Sequence, residues 1–363
     1  MHKTKKIRIP LLLLCCILLL VLGYVGYVFV SYSRLPDHLP LTVSGSETLS
    51  NVQTGTAYRV VSYNVGFGAY SADYSFFMDG GKESRARSAD AVETNLGGAA
   101  GVIISKEPSF ILLQEVDVDG TRSMHINERD LMVEKLNADT LCSWTFAQNY
   151  DSAYLFYPIL KPHGANQSGI MTVSQFNITS AERRSLPIES GVTKLVDLDR
   201  CYSVNRFAID GSDKEFVLYN VHLSAYTSDG TIAIEQLKML CADMKAEYEK
   251  GNYCVAGGDF NKDLLGNAGD VFGVAAPEGS NWAQPIPDGI IPTELTKVVP
   301  FDAEKPAASC RTASEPYNPE TSFVITVDGF IVSANVEVIE SNVIDTGYAY
   351  SDHNPVYLDF ILH

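Results

Sequence analysis

Apolar and polar positions fall into three regimes along the chain. Residues 11–30 are apolar and carry no charge. Residues 31–56 are polar and broken by Pro36, Pro40, Ser44, Gly45, Ser46 and Ser50, the composition of a linker. From residue 57 onward, short apolar runs alternate with polar punctuation at the two periods that mark strands and amphipathic helices. At a rise of about 1.5 Å per residue the first regime spans roughly 30 Å as a helix, the hydrocarbon thickness of a bilayer.

In the body, the spacing predicts a strand over 58–65, closed by Gly66-Phe67-Gly68. Ala89, Val92, Leu96, Ala99, Val102 and Ile103 recur at helical spacing, so a helix is predicted over 85–106 with Pro108 as its stop. The continuous apolar run 110–113 reads as a central strand, and 129–136 as a second helix. Strands follow at 144–147, 169–173, 193–196, 204–209 and 216–223, with Asp210-Gly211-Ser212 as a hairpin turn between the last two. Residues 232–248 place Ile234, Leu237, Leu240, Cys241, Met244 and Tyr248 on one helical side. A buried strand at 253–256 runs into Gly257-Gly258-Asp259-Phe260-Asn261. Residues 262–320, rich in Gly and Pro and including Trp282, form a connection long enough to suggest a functional loop. Strands at 324–332, 336–339 and 357–361 complete the chain. Many strands with few helices predict an α/β body of two packed sheets with helices outside.

Charge adds topology. Lys3, Lys5, Lys6 and Arg8 precede the apolar run, which predicts a cytoplasmic N-terminus and an exported body. A cleaved signal peptide is the rival; the run is longer than the usual apolar region and lacks a small-residue cleavage site, so an uncleaved anchor is the reading. The organisation expected is a basic segment 1–10, a transmembrane anchor 11–30, a linker 31–56 and a catalytic domain 57–363. The formal charge of −17 makes the body poorly suited to long polyanions, whose phosphates call for Lys and Arg. Cys142, Cys201, Cys241, Cys254 and Cys310 are an odd number without a C-x-x-C pair, which argues against zinc and for reduced core thiols, with one disulfide as the alternative. Asn166-Gln-Ser and Asn177-Ile-Thr match glycosylation sequons.

The candidate chemistry lies where apolar strands end: Asn64, Glu115, His222, Asp259 with Asn261, Asp328, and Asp352 with His353. Each alone has a plainer explanation. Glu115 fits a surface charge, His222 a satisfied core imidazole, Asp328 a turn residue before Gly329, and Gly-Asp-Phe-Asn an Asx turn. Asp259 and Asn261, two apart, would point the same way in extended backbone. Arg200, Arg206 and Arg311 are further phosphate contacts in principle, with a solvated surface position expected for each. Carboxylates and an asparagine are hard oxygen donors, and histidines are the side chains that change charge near neutral pH, so the set suits a divalent cation and proton transfer.

Taken together and in order, the strings Ser62-Tyr63-Asn64-Val65, Leu113-Gln114-Glu115-Val116, Asn220-Val221-His222-Leu223, Gly258-Asp259-Phe260-Asn261, Val327-Asp328-Gly329-Phe330 and Ser351-Asp352-His353-Asn354-Pro355-Val356 resemble the endonuclease/exonuclease/phosphatase superfamily. Its members include DNase I-like nucleases, neutral sphingomyelinases and inositol polyphosphate 5-phosphatases. The resemblance implies a four-layer α/β sandwich of mainly antiparallel sheets and a divalent metal, Mg²⁺ or else Mn²⁺. By position it implies Glu115 as principal metal ligand, with Asn64 and Asp352 completing the metal site. Asp259 would orient or deprotonate the attacking water, Asn261 would bind the phosphate, and His353, oriented by Asp328, would contact it. His222 would stabilise charge or protonate the leaving oxygen. The expected activity is a membrane-anchored phosphodiesterase acting on phospholipid headgroups or small phosphodiesters. An extracellular nuclease is the alternative, and a catalytically inactive binding domain a third reading that the intact residue set disfavours.

Overall fold

The computed structural model describes residues 3–46, 48–137, 142–189, 191, 198–225, 231–276 and 283–363, with side chains from residue 12 onward. The first apolar regime forms one helix, α1 (Lys3–Ser31). Its segment Leu12–Ser31, with mean hydropathy 2.7, is long and apolar enough to cross a membrane by length and composition.

Two short edge strands follow, β1 (Leu39–Pro40) and β2 (Ser44–Gly45), then β3 (Ala57–Asn64). Next come α2 (Ala89–Ile104), β4 (Phe110–Gly120), α3 (Glu128–Leu136), β5 (Ser143–Asp151), β6 (Asn166–Ser174), β7 (Ile178–Ser185), β8 (Cys201–Ala208), β9 (Glu215–His222), α4 (Thr231–Glu249) and β10 (Tyr253–Asp259). The chain ends with α5 (Ala268–Phe272), β11 (Leu295–Val298), β12 (Cys310–Arg311), β13 (Val324–Ile325), β14 (Asp328–Ser333), β15 (Val336–Val343) and β16 (Val356–Leu362).

The strands build two seven-stranded sheets, ordered β15-β16-β3-β4-β6-β5-β2 and β1-β7-β8-β9-β10-β14-β11, plus the small pair β12-β13. Only β3 with β4 and β9 with β10 run parallel among the described pairs. Facing side chains fill the space between the sheets: Val60, Phe110, Leu112, Leu358 and Phe360 from one, Phe207, Phe216, Leu218, Val255 and Phe330 from the other. On the outer face of the first sheet, α2 buries Val92, Leu96, Ala99 and Ile103, the stripe its spacing predicts. Its N-terminus is capped by Ser88 Oγ, which accepts from Ala91 N at 3.1 Å. On the outer face of the second sheet, α4 buries Leu237, Leu240, Cys241 and Met244 against Tyr219, Val221 and Ala256. The result is the expected four-layer α/β sandwich.

One buried polar bridge crosses the apolar interlayer beneath the strand ends. Gln114 Nε2 donates to Asn220 Oδ1 at 2.8 Å, and Asn220 Nδ2 donates to the Leu113 and Met171 carbonyls at 3.2 and 2.9 Å. A polar network with its partners in place fixes one sheet against the other.

Several local expectations change. Residues 31–56, linker-like in composition, are tied to the body: β1 pairs with β7, β2 with β5, and Val52 is fully buried beside Ile209. Arg34 Nε meets Asp199 at 2.7 Å and Asp37 meets Arg184 at 3.0 Å. The strand at 110–113 continues to Gly120 through two register shifts, so Glu115 sits inside β4 and not at its end. The expected strand 324–332 breaks into β13 and β14, and β7 is a strand the pattern missed. The connection 262–320 carries α5, β11 and β12. The strand expected at 193–196 and Trp282 lie outside the described residues. All seven cysteines are free thiols, the five of the body buried. Asn166 is buried in β6, which removes the first sequon as an acceptor site.

Candidate active site

Strand register assembles the site. In the second sheet Asp259, at the end of β10, stands in register with His222 at the end of β9 and with Asp328 at the start of β14. In the first sheet Asn64, at the end of β3, is opposite Gln114 and next to Glu115. The segment before β16 supplies Asp352 and His353. All eight candidate residues therefore converge at one end of the sandwich.

Close backbone approach explains the two glycines of β10. A Cβ on Gly258, whose φ is 145°, would lie 2.0 Å from the Val221 carbonyl, and one on Gly257 would meet Phe330 and Leu112 at 2.7–2.8 Å. The glycines thus serve strand packing, and the chain turns only after Asp259. There Asn261 takes φ 48° and its N–H donates to Asp259 Oδ1 at 2.9 Å, an Asx turn in place of the extended geometry expected. Glu115 takes φ 55° at the bulge of β4, and Phe67 takes φ 39° in the turn after β3. Left-handed backbone at non-glycine residues is costly and gathers at functional sites.

Asp259 Oδ2 is the hub. It accepts from Asn64 Nδ2 at 3.1 Å, and lies 3.5 Å from His222 Nε2 and 3.9 Å from His353 Nε2. Asn64 Nδ2 also reaches Glu115 Oε1 at 3.4 Å, while Asn64 Oδ1 accepts from Gly66 N at 3.1 Å. Asn64 therefore holds two carboxylates in place with its nitrogen. Asn261 Nδ2 donates to the Leu223 carbonyl at 2.8 Å. His353 Nδ1 meets Asp328 Oδ2 at 2.7 Å, although the two are far apart in sequence. Asp328 Oδ1 is buried without a partner. The Ser309 hydroxyl fixes the start of β14 by accepting from Val327 and Asp328 N–H groups at 2.9 and 3.0 Å.

Environment separates the titrating groups. Burial, reinforced by the neighbouring Asp328 carboxylate, pushes Asp259 up to about 7. Burial raises Asp352 to about 6, against the pull of His353 and Arg311. Burial opposes charge on His353, but Asp328 overrides it and holds the ring well above its ordinary value. Burial holds His222 well below its ordinary value, helped by the positive charge of Arg200. One histidine is thus cationic and the other neutral.

The donor set fits a divalent cation. Glu115, Asp352 and Asp259 offer hard oxygen donors at this end of the sandwich, and the Glu115 charge adds to the burial that raises Asp352. Asp259, Asp328 and His353 also offer atoms within 4.8 Å of one another, but the Asp328–His353 hydrogen bond already occupies one side of that group.

No protein-family model matches the chain, and no curated protein does. Solved structures do. An endonuclease/exonuclease/phosphatase from Beutenbergia cavernae DSM 12333 superposes with a TM-score of 0.58 at 18% identity, over 84% of this chain and 72% of that one. ANGEL2, a 2′,3′-cyclic phosphatase, gives 0.53 at 16%, over 91% and 99%. The human Nocturnin catalytic domain with bound sulfate gives 0.52 at 15%, over 89% and 98%. The chain has the endonuclease/exonuclease/phosphatase fold. At these identities the likeness is one of fold.

Within that fold the three arginines are not the solvated surface groups expected. Arg200 is 7% exposed, and its Nε and Nη1 have no hydrogen-bond partner among the described residues. Arg311, 1% exposed, donates to the carbonyls of Tyr70, Ser71 and Tyr74 at 3.0–3.4 Å and so pins the loop after β3. Arg206 pairs with Glu247 and Glu215, each at 2.7 Å. Sequence reasoning also passed over Arg122, buried and held by Asp117 at 2.8 Å, and Ser309. Only their packing marks them, since isolated Arg and Ser carry no periodic signal.

Proposed function

We propose that the chain is a divalent-cation-dependent phosphoesterase that cleaves phosphodiesters by direct attack of water. The observation that carries the reading is the set of contacts around Asp259 Oδ2, which joins Asn64 of one sheet to His222 and His353 of the other. Mg²⁺ is the proposed cofactor, with Mn²⁺ as a substitute, and Glu115 and Asp352 would hold it; Asn64, whose Oδ1 is taken by Gly66 N and whose nitrogen faces Glu115, would position the site and not ligate. Bound there, such a cation supplies Lewis-acid stabilisation of the phosphoryl oxygens.

The chain's own groups divide the remaining work. Asp259, with a proton affinity near neutrality, accepts the proton of the attacking water. His353, cationic and fixed in tautomer by Asp328, presents Nε2 to the phosphate and supplies the proton for the leaving oxygen. His222, neutral, takes the part of a hydrogen-bond donor that stabilises charge, the first of the two parts expected of it, and not that of the acid. Arg200 brings to the same end of the sheet a buried guanidinium whose Nε and Nη1 have no partner among the described residues, suited to a phosphate oxygen. A water nucleophile is favoured because the serine and cysteine beside Asp352 and His353 are otherwise engaged: Ser351 Oγ donates to the Asn64 carbonyl at 2.7 Å and Cys310 Sγ to the Arg311 carbonyl at 3.4 Å.

The apolar helix α1 supports a membrane anchor with the N-terminus cytoplasmic and the catalytic body exported. The acidic body favours lipid headgroups or small phosphodiesters over nucleic acid. The test is hydrolysis by the full-length chain in detergent, before and after EDTA and with Mg²⁺ or Mn²⁺ restored. Bis-p-nitrophenyl phosphate, plasmid DNA, RNA, sphingomyelin and inositol phosphates form the panel. Metal-dependent turnover of a diester is expected; turnover unaffected by EDTA, or none on the whole panel, overturns the reading.

A further inference from the structure

The loop between β5 and β6 is apolar and faces outward. Phe156 is 58% exposed, Tyr157 69%, Ile159 84% and Leu160 94%. Four large apolar side chains in five residues form the kind of cluster that soluble surfaces avoid unless something covers it. Exposed Lys161 follows directly.

Two sets of contacts say where this loop sits. On one side it meets the apolar helix. Tyr24 Oη donates to the Tyr154 carbonyl at 3.1 Å, and Tyr154 N donates to Tyr27 Oη at 3.1 Å. The rings of Tyr24 and Phe156 stand edge to face at 5.2 Å. Tyr24 lies about two turns, roughly 10 Å, before the helix end at Ser31. That is the depth of the headgroup and acyl boundary, where tyrosines gather on membrane-crossing helices.

On the other side it meets the rim of the candidate active site. The Tyr157 ring lies 5.8 Å from Phe77, in the turn Phe77–Asp79, where Met78 is also exposed. His163 Nδ1, at the loop's end, donates to the Ser84 carbonyl at 2.7 Å, and its ring stands 6.5 Å from Phe67. Phe67 follows Gly66, whose N–H holds Asn64. The negative charge of Asp79 bears on Asp352. The loop thus joins the helix end to the mouth of the site.

We propose that residues 156–161 seat in the bilayer leaflet at the C-terminal end of α1, and that the site's substrate is a phosphodiester headgroup of a lipid in that leaflet. The second half of this statement rests on the phosphoesterase reading above; the first does not. A bilayer is the occupant because the patch is continuous with a helix able to cross one, ends in a lysine suited to lipid phosphates, and is aromatic where it meets the helix.

The test uses the full-length chain reconstituted in phosphatidylcholine vesicles. Leu160→Trp places a fluorophore at the tip, read against the wild-type tryptophan background with lipids brominated at known acyl depths. Blue-shifted emission quenched by the brominated lipids is expected. Water-like emission, or a blue shift without lipid quenching, which means that protein covers the loop, overturns the insertion. In parallel, Ile159→Ser combined with Leu160→Ser is assayed on bis-p-nitrophenyl phosphate and on phosphatidylcholine and sphingomyelin in vesicles. The expected result is turnover of a lipid diester by the wild-type chain, reduced about tenfold or more in the variant, with the soluble diester unaffected. Hydrolysis of the soluble diester or of nucleic acid alone overturns the lipid assignment, as does an equal loss on both substrates. No turnover of any phosphoester defeats the phosphoesterase reading instead, and the quenching result still decides whether the loop inserts.

Discussion

At the scale of residues, His353 and Asp328 act as one unit. Their hydrogen bond at 2.7 Å fixes the ring and keeps it cationic. Because the folded-state proton affinity of His353 is raised, its contribution to stability is fully present below the ordinary histidine range and is lost as pH rises through the raised value. His353→Ala should cost on the order of 10²–10³-fold in kcat/KM, the loss typical of a preorganised donor. Asp328→Asn should cost less, and the double variant should lose little beyond His353→Ala, because groups acting as a unit are not additive. Kinetics of the four proteins decide it; a double loss equal to the product of the single losses contradicts the coupling. Arg200 makes a separate prediction. Two of its nitrogens, Nε and Nη1, are buried with no partner among the described residues, so Arg200→Met should weaken phosphoester turnover by about 10-fold or more while costing the fold little. Unfolding and kinetics measured on the same preparation check both halves, and a destabilised variant with unchanged kinetics would make Arg200 structural.

At the scale of elements, the segment before β3 belongs to the body. A chain beginning at residue 33 keeps β1, β2 and the ion pairs Arg34–Asp199 and Asp37–Arg184; one beginning at residue 51 loses them all. Thermal unfolding should separate the two, the shorter form melting lower by about 5 °C, as the loss of a few kcal/mol in a domain of this size implies. Equal midpoints would return this segment to the status of a linker. Its strands were illegible in the sequence because two-residue pairings show no periodicity. β7 was missed for another reason: Ile178–Ser185 is mostly polar, and Arg183 is buried there only because Asp199 and the Gln148 carbonyl satisfy it. β4 was read short because its second half, Val116 to Gly120, carries Asp117 and Asp119 across a bulge. By contrast, α2 and α4 were legible because each buries one stripe at helical spacing. The site was legible as an ordered set of strings, and so was the pairing of Asp328 with His353, which the fold closes at 2.7 Å; the state of His222 was not, because it depends on burial and on the Arg200 charge set near its ring.

At the scale of the whole molecule, the apolar helix meets the loop between β5 and β6, and that loop meets the turn at Phe77. If α1 is a retained anchor, fractionated cells should hold the body in the membrane fraction, resistant to carbonate and high salt; a mature protein beginning near residue 31 and free in the medium would contradict this. The central claim is that the sheets meet to make one hydrolytic site around Asp259. Burial raises this carboxyl to about 7, so the folded chain binds more protons than the unfolded chain between the ordinary carboxylate range and neutrality, and metal-free stability falls as pH rises through that window. Removing the charge should therefore help the fold and harm the function. The decisive measurement is kcat/KM of full-length Asp259→Asn on bis-p-nitrophenyl phosphate with saturating Mg²⁺, paired with its metal-free melting midpoint at pH 8. A loss of about 10²–10³-fold or more with an unchanged or higher midpoint is predicted; activity within a few-fold of the wild-type chain would contradict the account.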